Sequence, residues 1–296
     1  MHKMNTSMLR ALAATAALSL ASGCNSDGPD PGLTFLPYDE SHRSKPDFAD
    51  LEYRHPLTAE QRARITPGWL ASLEQEQVDQ IYARLSAGPI PDGAYDGDLF
   101  FPRGASGKVR ISEVVGGLEG FAINLKSRKL ALIGEILWKG KVFFREQRVL
   151  RNMIQDKKYL ELIVDDPDSL EKVVVEGKRS WLFFPMKAWL LFPAKLYCGQ
   201  SLLDGRRESI IIDYAFSDQI AGYHERPDFL AGRRGFQVRD EIRMVRPGFY
   251  LGRAYMGRVF ALNFTLYNET VAKAGEAPDE DCWSGTQTMA ARGSGG

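Results

Sequence analysis

The chain has 296 residues, with 38 Lys and Arg against 38 Asp and Glu, and so carries no formal net charge at pH 7. Modules that bind nucleic acid usually have a basic surplus, so this balance gives no support for a nucleic-acid partner. Only four histidines are present, which leaves few candidates for a catalytic or metal-binding cluster.

Residues 1–23 have the pattern of a secretory signal peptide. Lys3 and Arg10 precede an apolar run of small residues from 11 to 21. This run is shorter than the about 20 residues that a membrane-spanning helix needs. Removal of the segment would leave 36 basic and 38 acidic residues, a net charge of −2.

The residues around Cys24 resemble the lipobox of bacterial lipoproteins, because small residues come directly before it: Ala21, Ser22 and Gly23. The resemblance implies that Cys24 carries lipid (palmitate is the expected acyl group) and becomes the mature N-terminus. Several acyl chains would hold the body stably on a membrane without a span. Asn25 in place of Asp favours the outer membrane, with the body facing the periplasm.

Two further cysteines remain if Cys24 is lipidated. Cys198 and Cys282 are then an even pair in an oxidising compartment, which favours a disulfide that ties down the C-terminal part of the chain. Two unpaired thiols are the alternative.

The N-terminal part of the mature chain divides into two segments. Residues 24–55 are rich in Pro, Asp, Ser and Gly and are predicted to be a flexible tether. Residues 56–88 are predicted to be helical, with a short helix capped by Thr58 and an amphipathic helix over 67–87 that begins after Thr66.

Residues 89–272 are predicted to form a mainly β domain. Short β-branched and aromatic runs alternate with turn residues: "AYDGDLFF", "KVFFREQRVL", "EKVVVEG", "RSWLFF", "ESIIIDYAF", "QVRDEIRMV", "FYLGRAYM" and "RVFALNFTLYN". A helical stripe at 118–137 predicts one inserted helix. Many antiparallel strands in one body predict a barrel, which removes exposed edges. Residues 273–296 are predicted to be a disordered tail.

The apolar stretch "WLFFPMKAWLLFPAKLY" contains Pro185, Lys187 and Pro193. These interruptions argue against a membrane span. They favour buried strands or a loop that touches lipid.

Two motifs within residues 91–150 resemble the GXWXG domain family. The matching residues are Gly93, Tyr95 and Gly97 in the first motif and Trp138, Gly140, Lys141 and Phe143 in the second. Tyr95 stands where the family has tryptophan. The resemblance implies a calycin-like barrel of the lipocalin and fatty-acid-binding type, in which these residues have structural roles.

Strand alternation in "QVRDEIRMV" places Asp240 on the same face as apolar residues, and Asp213 poses the same question in "SIIIDYAF". A buried carboxylate needs a cation, backbone donors or a wet cavity. A structural ion pair and a ligand contact are both open for each residue.

Small barrels hold ligands in apolar cavities with a few fixed polar groups. The candidates for binding an amphiphile are Asp213, Tyr214, Arg239, Asp240, Arg243 and Tyr250, with Arg253 and Tyr255 as further polar residues. An inward arginine would meet an anionic head group. An ion-pair ladder of Arg239, Glu241 and Arg243 on the outside of the barrel explains the same spacing.

Catalytic motifs are not apparent. The sequence has no H-E-x-x-H, C-x-x-C or G-x-S-x-G spacing and no phosphate-binding glycine loop, so no metal and no cofactor is predicted. A triad of His224 with Asp213 or Asp240 and a serine stays open.

Three functions are therefore considered. The first is a lipid-anchored barrel that binds a fatty acid or a lipid-like amphiphile. The second is a structural or protein-interaction envelope lipoprotein whose barrel is filled by side chains. The third is a hydrolase of unknown type.

Overall fold

The computed structural model of the chain describes residues 30–38, 45–100, 138–155, 160–161, 164, 166–179, 182–276 and 280–283. The predicted signal peptide with Cys24, the predicted inserted helix at 118–137 and the last residues of the predicted tail lie outside these ranges. The described helices are α1 (Phe48–Arg54), α2 (Ala59–Arg64), α3 (Pro67–Ser72), α4 (Gln75–Ala83), α5 (Glu225–Asp228) and α6 (Glu269–Ala274). Two 3₁₀ turns lie at Pro167–Ser169 and Tyr214–Gln219.

The described strands are β1 (Gly93–Phe100), β2 (Trp138–Phe144), β3 (Val149–Ile154), β4 (Lys172–Arg179), β5 (Leu182–Gln200), β6 (Glu208–Asp213), β7 (Val238–Arg246), β8 (Phe249–Met256) and β9 (Val259–Tyr267). They form one antiparallel sheet in the order β3-β2-β1-β9-β8-β7-β6-β5-β4, and β3 also pairs with β5. This additional pairing closes eight strands into a barrel and leaves β4 attached to β5 outside the ring. The prediction of a mainly β protein with an antiparallel barrel is confirmed.

β5 contains the apolar stretch that was predicted to be buried strands or a lipid-touching loop. It is one strand of 19 residues. Its two halves have different partners, because β4 pairs with residues 182–189 and β6 with residues 195–200. Phe192 has a φ of 52°, and the register with β3 shifts opposite it, so Pro193 follows a β-bulge.

β6 ends earlier than its apolar pattern predicts. The Asp213 carboxylate accepts a hydrogen bond of 2.8 Å from the Ala215 N–H and so caps the 3₁₀ turn that follows. Asp213 also accepts from the Tyr197 hydroxyl at 2.7 Å, on the outer side of β5. The last residues of the predicted strand therefore belong to a 3₁₀ turn that the Asp213 carboxylate caps.

The inward-facing side chains of the barrel form one buried cluster along its axis. Its members include Tyr95, Phe143, Leu150, Ala194, Leu196, Ile210, Ile212, Tyr214, Ile242, Tyr250, Phe264 and Leu266. Ile90 and Cys282 also belong to this cluster, and we call the end of the barrel at which they lie the base. Burial of this apolar surface is the main contribution to the stability of the barrel.

Helices α1 to α4 cover the outer face of β7 and β8. Their apolar side chains form a second cluster with Val245, Phe249 and Leu251 of these strands. The predicted helix over 67–87 is two helices, because Leu73 is extended (φ −79°, ψ 158°) and Glu74 starts α4 with a capping box. Thr58 and Thr66 cap α2 and α3 as predicted. None of the described helices has the length and apolar character that crossing a membrane requires.

Part of the predicted flexible tether belongs to the folded body. Leu33, Phe35 and Leu36 pack against the helical cluster. The backbone N–H and C=O of Leu36 bond to the Gln80 side chain at 2.7 and 2.8 Å. Helix α1 also begins inside the predicted tether, at Phe48. The apolar residues that fix this segment are too few and too irregular to stand out from its polar composition.

Candidate functional site

A buried lysine lies inside the barrel on β2. Lys141 Nζ donates to Asn152 Oδ1 at 2.9 Å, Tyr214 Oη at 2.7 Å and Asp240 Oδ2 at 2.9 Å. The side chains of Lys141 and Asp240 are only 3% and 6% exposed. An ammonium group has three donor protons. The three oxygens therefore use all the donors of Lys141.

The neutral members of this cluster are also joined to one another. Trp138 Nε1 donates to Asn152 Oδ1 at 2.8 Å, and Asn152 Nδ2 donates to the Phe192 carbonyl at 3.1 Å. The Tyr214 hydroxyl lies 3.4 Å from Asp240 Oδ2. A buried ion pair is tolerated only when hydrogen bonds satisfy its remaining atoms, and these contacts meet much of that need.

Three aromatic rings surround the ammonium group. The ring centroids of Trp138, Tyr214 and Phe264 lie 5.4, 5.3 and 5.4 Å from Lys141 Nζ, within cation–π range. Burial acts to lower the pKa of Lys141, but its contacts with Asp240 and Tyr214 outweigh burial and raise that pKa, so the lysine stays charged. Burial raises the pKa of Tyr214 to about 12, so its phenol stays protonated.

The two motifs that carry the GXWXG resemblance interlock beside this cluster. A Cβ atom on Gly97 would lie 2.2 Å from the Trp138 ring. Gly140 has a φ of 141°, and a Cβ atom on it would lie 2.0 Å from the Tyr95 carbonyl oxygen. β1 and β2 therefore approach as closely as they do because these positions lack side chains.

Gly140→Ala is expected to lower the free energy of unfolding by about 3 kcal/mol, because the new methyl group meets a backbone oxygen and the positive φ is strained. Chemical denaturation of the full chain measures this loss. Gly68→Ala is the control, since a Cβ atom on Gly68 would meet no atom within 4 Å. A similar small effect for both variants would contradict the close packing at Gly140.

Lys141 was predicted only as part of a structural motif, and Asn152 was not among the predicted site residues. The alternation of β2 indicates that Lys141 points into the barrel, because Phe143, two residues later, is an interior residue. Nothing local distinguishes Asn152, which lies between the charged Arg151 and the apolar Met153. Its role arises from the pairing of β2 with β3, which places Asn152 opposite Lys141.

Of the predicted ligand-binding residues, the structure brings Tyr214 and Asp240 together with Lys141. Asp240 is buried and pairs with a cation, as one of its two predicted alternatives requires. Tyr250 also faces the interior, but its hydroxyl donates to the Pro89 carbonyl at 2.7 Å near the base. Asp213 caps a turn outside the barrel and does not join them.

Arg243 occupies neither of its two predicted positions. It is fully buried on the outer wall of the barrel, beneath α4. It donates to Ser209 Oγ at 2.9 Å and to the carbonyl oxygens of Tyr82, Arg207 and Asp204 at 3.1, 3.0 and 3.3 Å. It is therefore neither an inward ligand contact nor a member of a solvated ladder, because the helical layer covers this face.

The other predicted basic residues also lie on the outer wall. Arg239 donates to the Gln200 carbonyl at 2.8 Å and lies 3.1 Å from Glu241 Oε1, with its side chain 28% exposed. Arg253 pairs with Asp79 of α4 and donates to the Tyr255 hydroxyl at 3.0 Å. These arginines attach the helices and loops to the barrel and do not reach its interior.

A disulfide joins Cys198 of β5 to Cys282, as predicted. The two cysteines are 84 positions apart in the sequence. Asp281 accepts from the Ile90 N–H at 2.8 Å and from Arg145 and Arg148 at 2.8 and 2.9 Å. Residues 280–283, which were predicted to be disordered, are therefore fixed across the base of the barrel.

Asp281→Asn is expected to flatten the acid side of the curve of stability against pH. Burial acts to raise the pKa of Asp281, but the Ile90 N–H and the two arginines outweigh burial and lower it. A lowered folded pKa stabilises the fold above the unfolded value of about 3.9, and this stabilisation is lost as pH falls through the folded pKa. Urea unfolding at several pH values below about 5 measures it.

The control for this variant is Asp50→Asn, which removes an exposed carboxylate that pairs with Arg54 within α1. Parallel curves for wild type and Asp281→Asn would show that the three donors do not stabilise the carboxylate.

Metal and triad chemistry find little support in the described part of the chain. Cys198, Glu208 and Cys282 lie close enough to hold a metal ion, but the two sulfur atoms form the disulfide. The carboxylates proposed for a triad with His224 have other partners, Tyr197 for Asp213 and Lys141 for Asp240. The chain matches no protein-family model, no curated protein and no solved structure.

Proposed function

We propose that this protein is a lipid-anchored envelope protein that acts through its outer surface, with a calycin-like barrel filled by its own side chains. One observation carries this proposal. Lys141, a buried lysine inside the barrel, donates its three hydrogen bonds to Asn152, Tyr214 and Asp240. An anionic head group would find no free donor there and would lie close to the Asp240 carboxylate.

The distribution of the arginines supports the same proposal. Arg243 and Arg253 are the most buried cations of β7 and β8, and both lie between the barrel and its helical layer. The barrel is thus a rigid support that holds its helices and loops in place.

A second candidate function is the binding of a small amphiphile. The observation that favours it is the location of Asp240, Tyr214 and Lys141 together in an aromatic environment inside the barrel. A ligand would have to displace interior side chains and exchange one of the hydrogen bonds of Lys141. Such an exchange is costly, because leaving a buried donor or acceptor unpaired carries a free-energy penalty of about 1 to 3 kcal/mol.

Organic-solvent extraction of the purified protein, with mass spectrometry of the extract, distinguishes the two functions. A filled barrel yields no lipid in molar proportion beyond covalently attached acyl chains. The matched variant Lys141→Met/Asp240→Leu replaces the ion pair with apolar side chains of similar size. Lipid that co-purifies with wild type and is lost in this variant would establish the amphiphile-binding barrel instead.

The anchor is tested separately with Cys24→Ala in the full chain. Without the thiol no lipid can be attached, so we expect the protein to move from the membrane fraction to the soluble fraction after cell breakage. The readout is the distribution of the protein between these fractions, with wild type as the reference. Unchanged retention of Cys24→Ala on membranes would contradict lipidation.

A further inference from the structure

Among the described strands, β4 has a neighbour on one side only. The other eight strands each have at least two neighbours, because β3 closes on β5. β4 pairs with β5 over its whole length, from Lys172 opposite Trp189 to Arg179 opposite Leu182. A strand edge of this kind presents unpaired N–H and C=O groups to any extended segment that approaches it.

The hydrogen-bond pattern identifies the groups at this edge. Leu190 N donates to the Glu171 carbonyl at 2.9 Å across the β4–β5 pair. In an antiparallel pair, alternate residues direct their backbone groups toward the partner strand. The odd-numbered residues of β4 therefore face β5. The N–H and C=O groups at the free edge belong to Lys172, Val174, Glu176 and Lys178.

The position of Pro185 agrees with this assignment. It lies opposite Glu176 in the register of β4 and β5. Residues at such a position direct their nitrogen away from β4, so a proline, which has no N–H, costs no hydrogen bond between the two strands.

The exposed residues at the start of β4 are consistent with an interaction edge. Val174 is 69% exposed, which makes it one of the most exposed large apolar residues of the described chain. Lys172 pairs with Asp168 at 2.8 Å on the surface, where exchange to another carboxylate costs little. The start of β4 therefore presents an exposed apolar residue, Val174, with Lys172 and Glu176 two positions away on either side.

We propose that β4 pairs antiparallel with β4 of a second copy of this chain, about a two-fold axis at Val174. The segment "KVVVE", residues 172–176, is complementary to itself in this arrangement. Lys172 lies opposite Glu176 of the partner subunit, and Val173 lies opposite Val175 of the partner subunit. Opposite charges and β-branched residues that face each other across an antiparallel pair stabilise it.

Charge selects this register over those in which the axis is shifted toward the C-terminal end of β4. An axis at residue 175 places Lys172 opposite Lys178 of the partner subunit, and an axis at Glu176 places two glutamates opposite each other. Both contacts are repulsive. The axis at Val174 matches opposite charges and also aligns the outward backbone groups of residues 172, 174 and 176 as hydrogen-bonded pairs. A two-fold axis makes each contact occur twice.

The first test measures the dimer dissociation constant of the full chain by analytical ultracentrifugation. Lys172→Glu and Glu176→Lys each replace two attractive pairs with two repulsive ones, so each should weaken the dimer about tenfold or more. The double variant Lys172→Glu/Glu176→Lys restores the pairs in reversed order and should restore the dimer. Lys273→Glu, which reverses a charge on α6 where the side chain is 75% exposed, is the control and should have no effect.

The second test is a disulfide across the two-fold axis. Hydrogen-bonded partners in an antiparallel pair have Cα atoms about 5.5 Å apart, within the range of a disulfide. Val174→Cys should therefore cross-link to itself under mild oxidation. Lys172→Cys should not, because its two copies lie about 13 Å apart along the strand direction. Mass mapping distinguishes this bridge from Cys198–Cys282.

A monomer at every concentration would overturn the proposal. A dimer that is insensitive to the charge exchanges, or that cross-links equally well at residues 172 and 174, would overturn the β4 edge as its interface. Neither test depends on membrane attachment or on the contents of the barrel, so these results stand apart from those that test the proposed function.

Discussion

Lys141→Met is expected to lower the free energy of unfolding by about 3 to 5 kcal/mol, because it leaves the buried Asp240 carboxylate without its cation. Asp240 is 4% exposed, and its other side-chain contact among the described residues is the Tyr214 hydroxyl at 3.4 Å. Methionine has nearly the length of lysine, so little volume is lost. Guanidinium denaturation of the full chain measures the effect.

The double variant Lys141→Met/Asp240→Leu is the control that separates loss of charge pairing from loss of packing. Replacement of a whole buried ion pair by apolar residues is often neutral or stabilising. We therefore expect the double variant to be more stable than Lys141→Met alone. If the double variant is as unstable as the single one, the defect lies in packing or in the hydrogen bonds of Asn152, and the ion pair is not the critical interaction.

Arg243→Met is expected to be destabilising by a similar amount, about 3 to 5 kcal/mol. The guanidinium is fully buried and bonds to Ser209 Oγ and to three carbonyl oxygens. Its removal leaves these acceptors unpaired beneath α4, and hydrogen bonds to charged groups contribute about 1.5 to 3 kcal/mol each. Thermal unfolding followed by circular dichroism, with denaturant titration, measures the loss.

Arg234→Met is the control. Arg234 pairs with Glu225 at 2.8 Å, and the two side chains are 57% and 61% exposed. Surface ion pairs are worth about 0 to 1 kcal/mol, so a small effect is expected. Equal effects of the two substitutions would mean that the helical layer does not exclude water from Arg243 as the structure has it.

These expectations show how a local pattern becomes ambiguous once both faces of a strand are covered. Alternation correctly separated Asp240 from Arg239, Glu241 and Arg243 on β7. Alternation alone predicts that one face is dry and that the other is either exposed to water or turned inward. Glu241 and Arg243 are fully buried, because a helical layer lies on the outer face. Strands with two covered faces lose the contrast between buried and exposed residues.

The strand content of the fold was predictable because each strand has a local signal. Most of the runs that were predicted as strands lie in β1 to β9, but "KVFFREQRVL" contains the turn between β2 and β3, and β3 and β5 extend beyond their predicted parts. The errors occur where one side chain changes the backbone: Asp213 ends β6 by capping a turn, and Glu74 divides the predicted helix. Capping residues compete with the periodic pattern over only two or three positions, so a pattern averaged over many residues does not detect them.

The candidate site was predictable only in part. Asp240 and Tyr214 stood out as polar groups within apolar strands, whereas Asn152 and Lys141 acquire their roles from the pairing of β2 with β3. The interlocking of Gly97 with Trp138 and of Gly140 with Tyr95 likewise needs the register of β1 and β2. Register is a property of two strands, and no single strand contains it.

The amino-acid sequence by itself determined the alternation of the strands, the helix caps at Thr58 and Thr66 and the opposite charges at the two ends of the segment 172–176 in β4. Each of these depends on residues that are close together in the chain. Only the tertiary structure decided that Lys141 meets Asp240, that Arg243 is covered by α4 and that β4 has a single neighbour among the described strands. These features join residues that are about 100 or more positions apart, or depend on which strands close the barrel. Long-range pairing follows from the burial of the whole apolar surface, to which every strand contributes and which no short segment specifies.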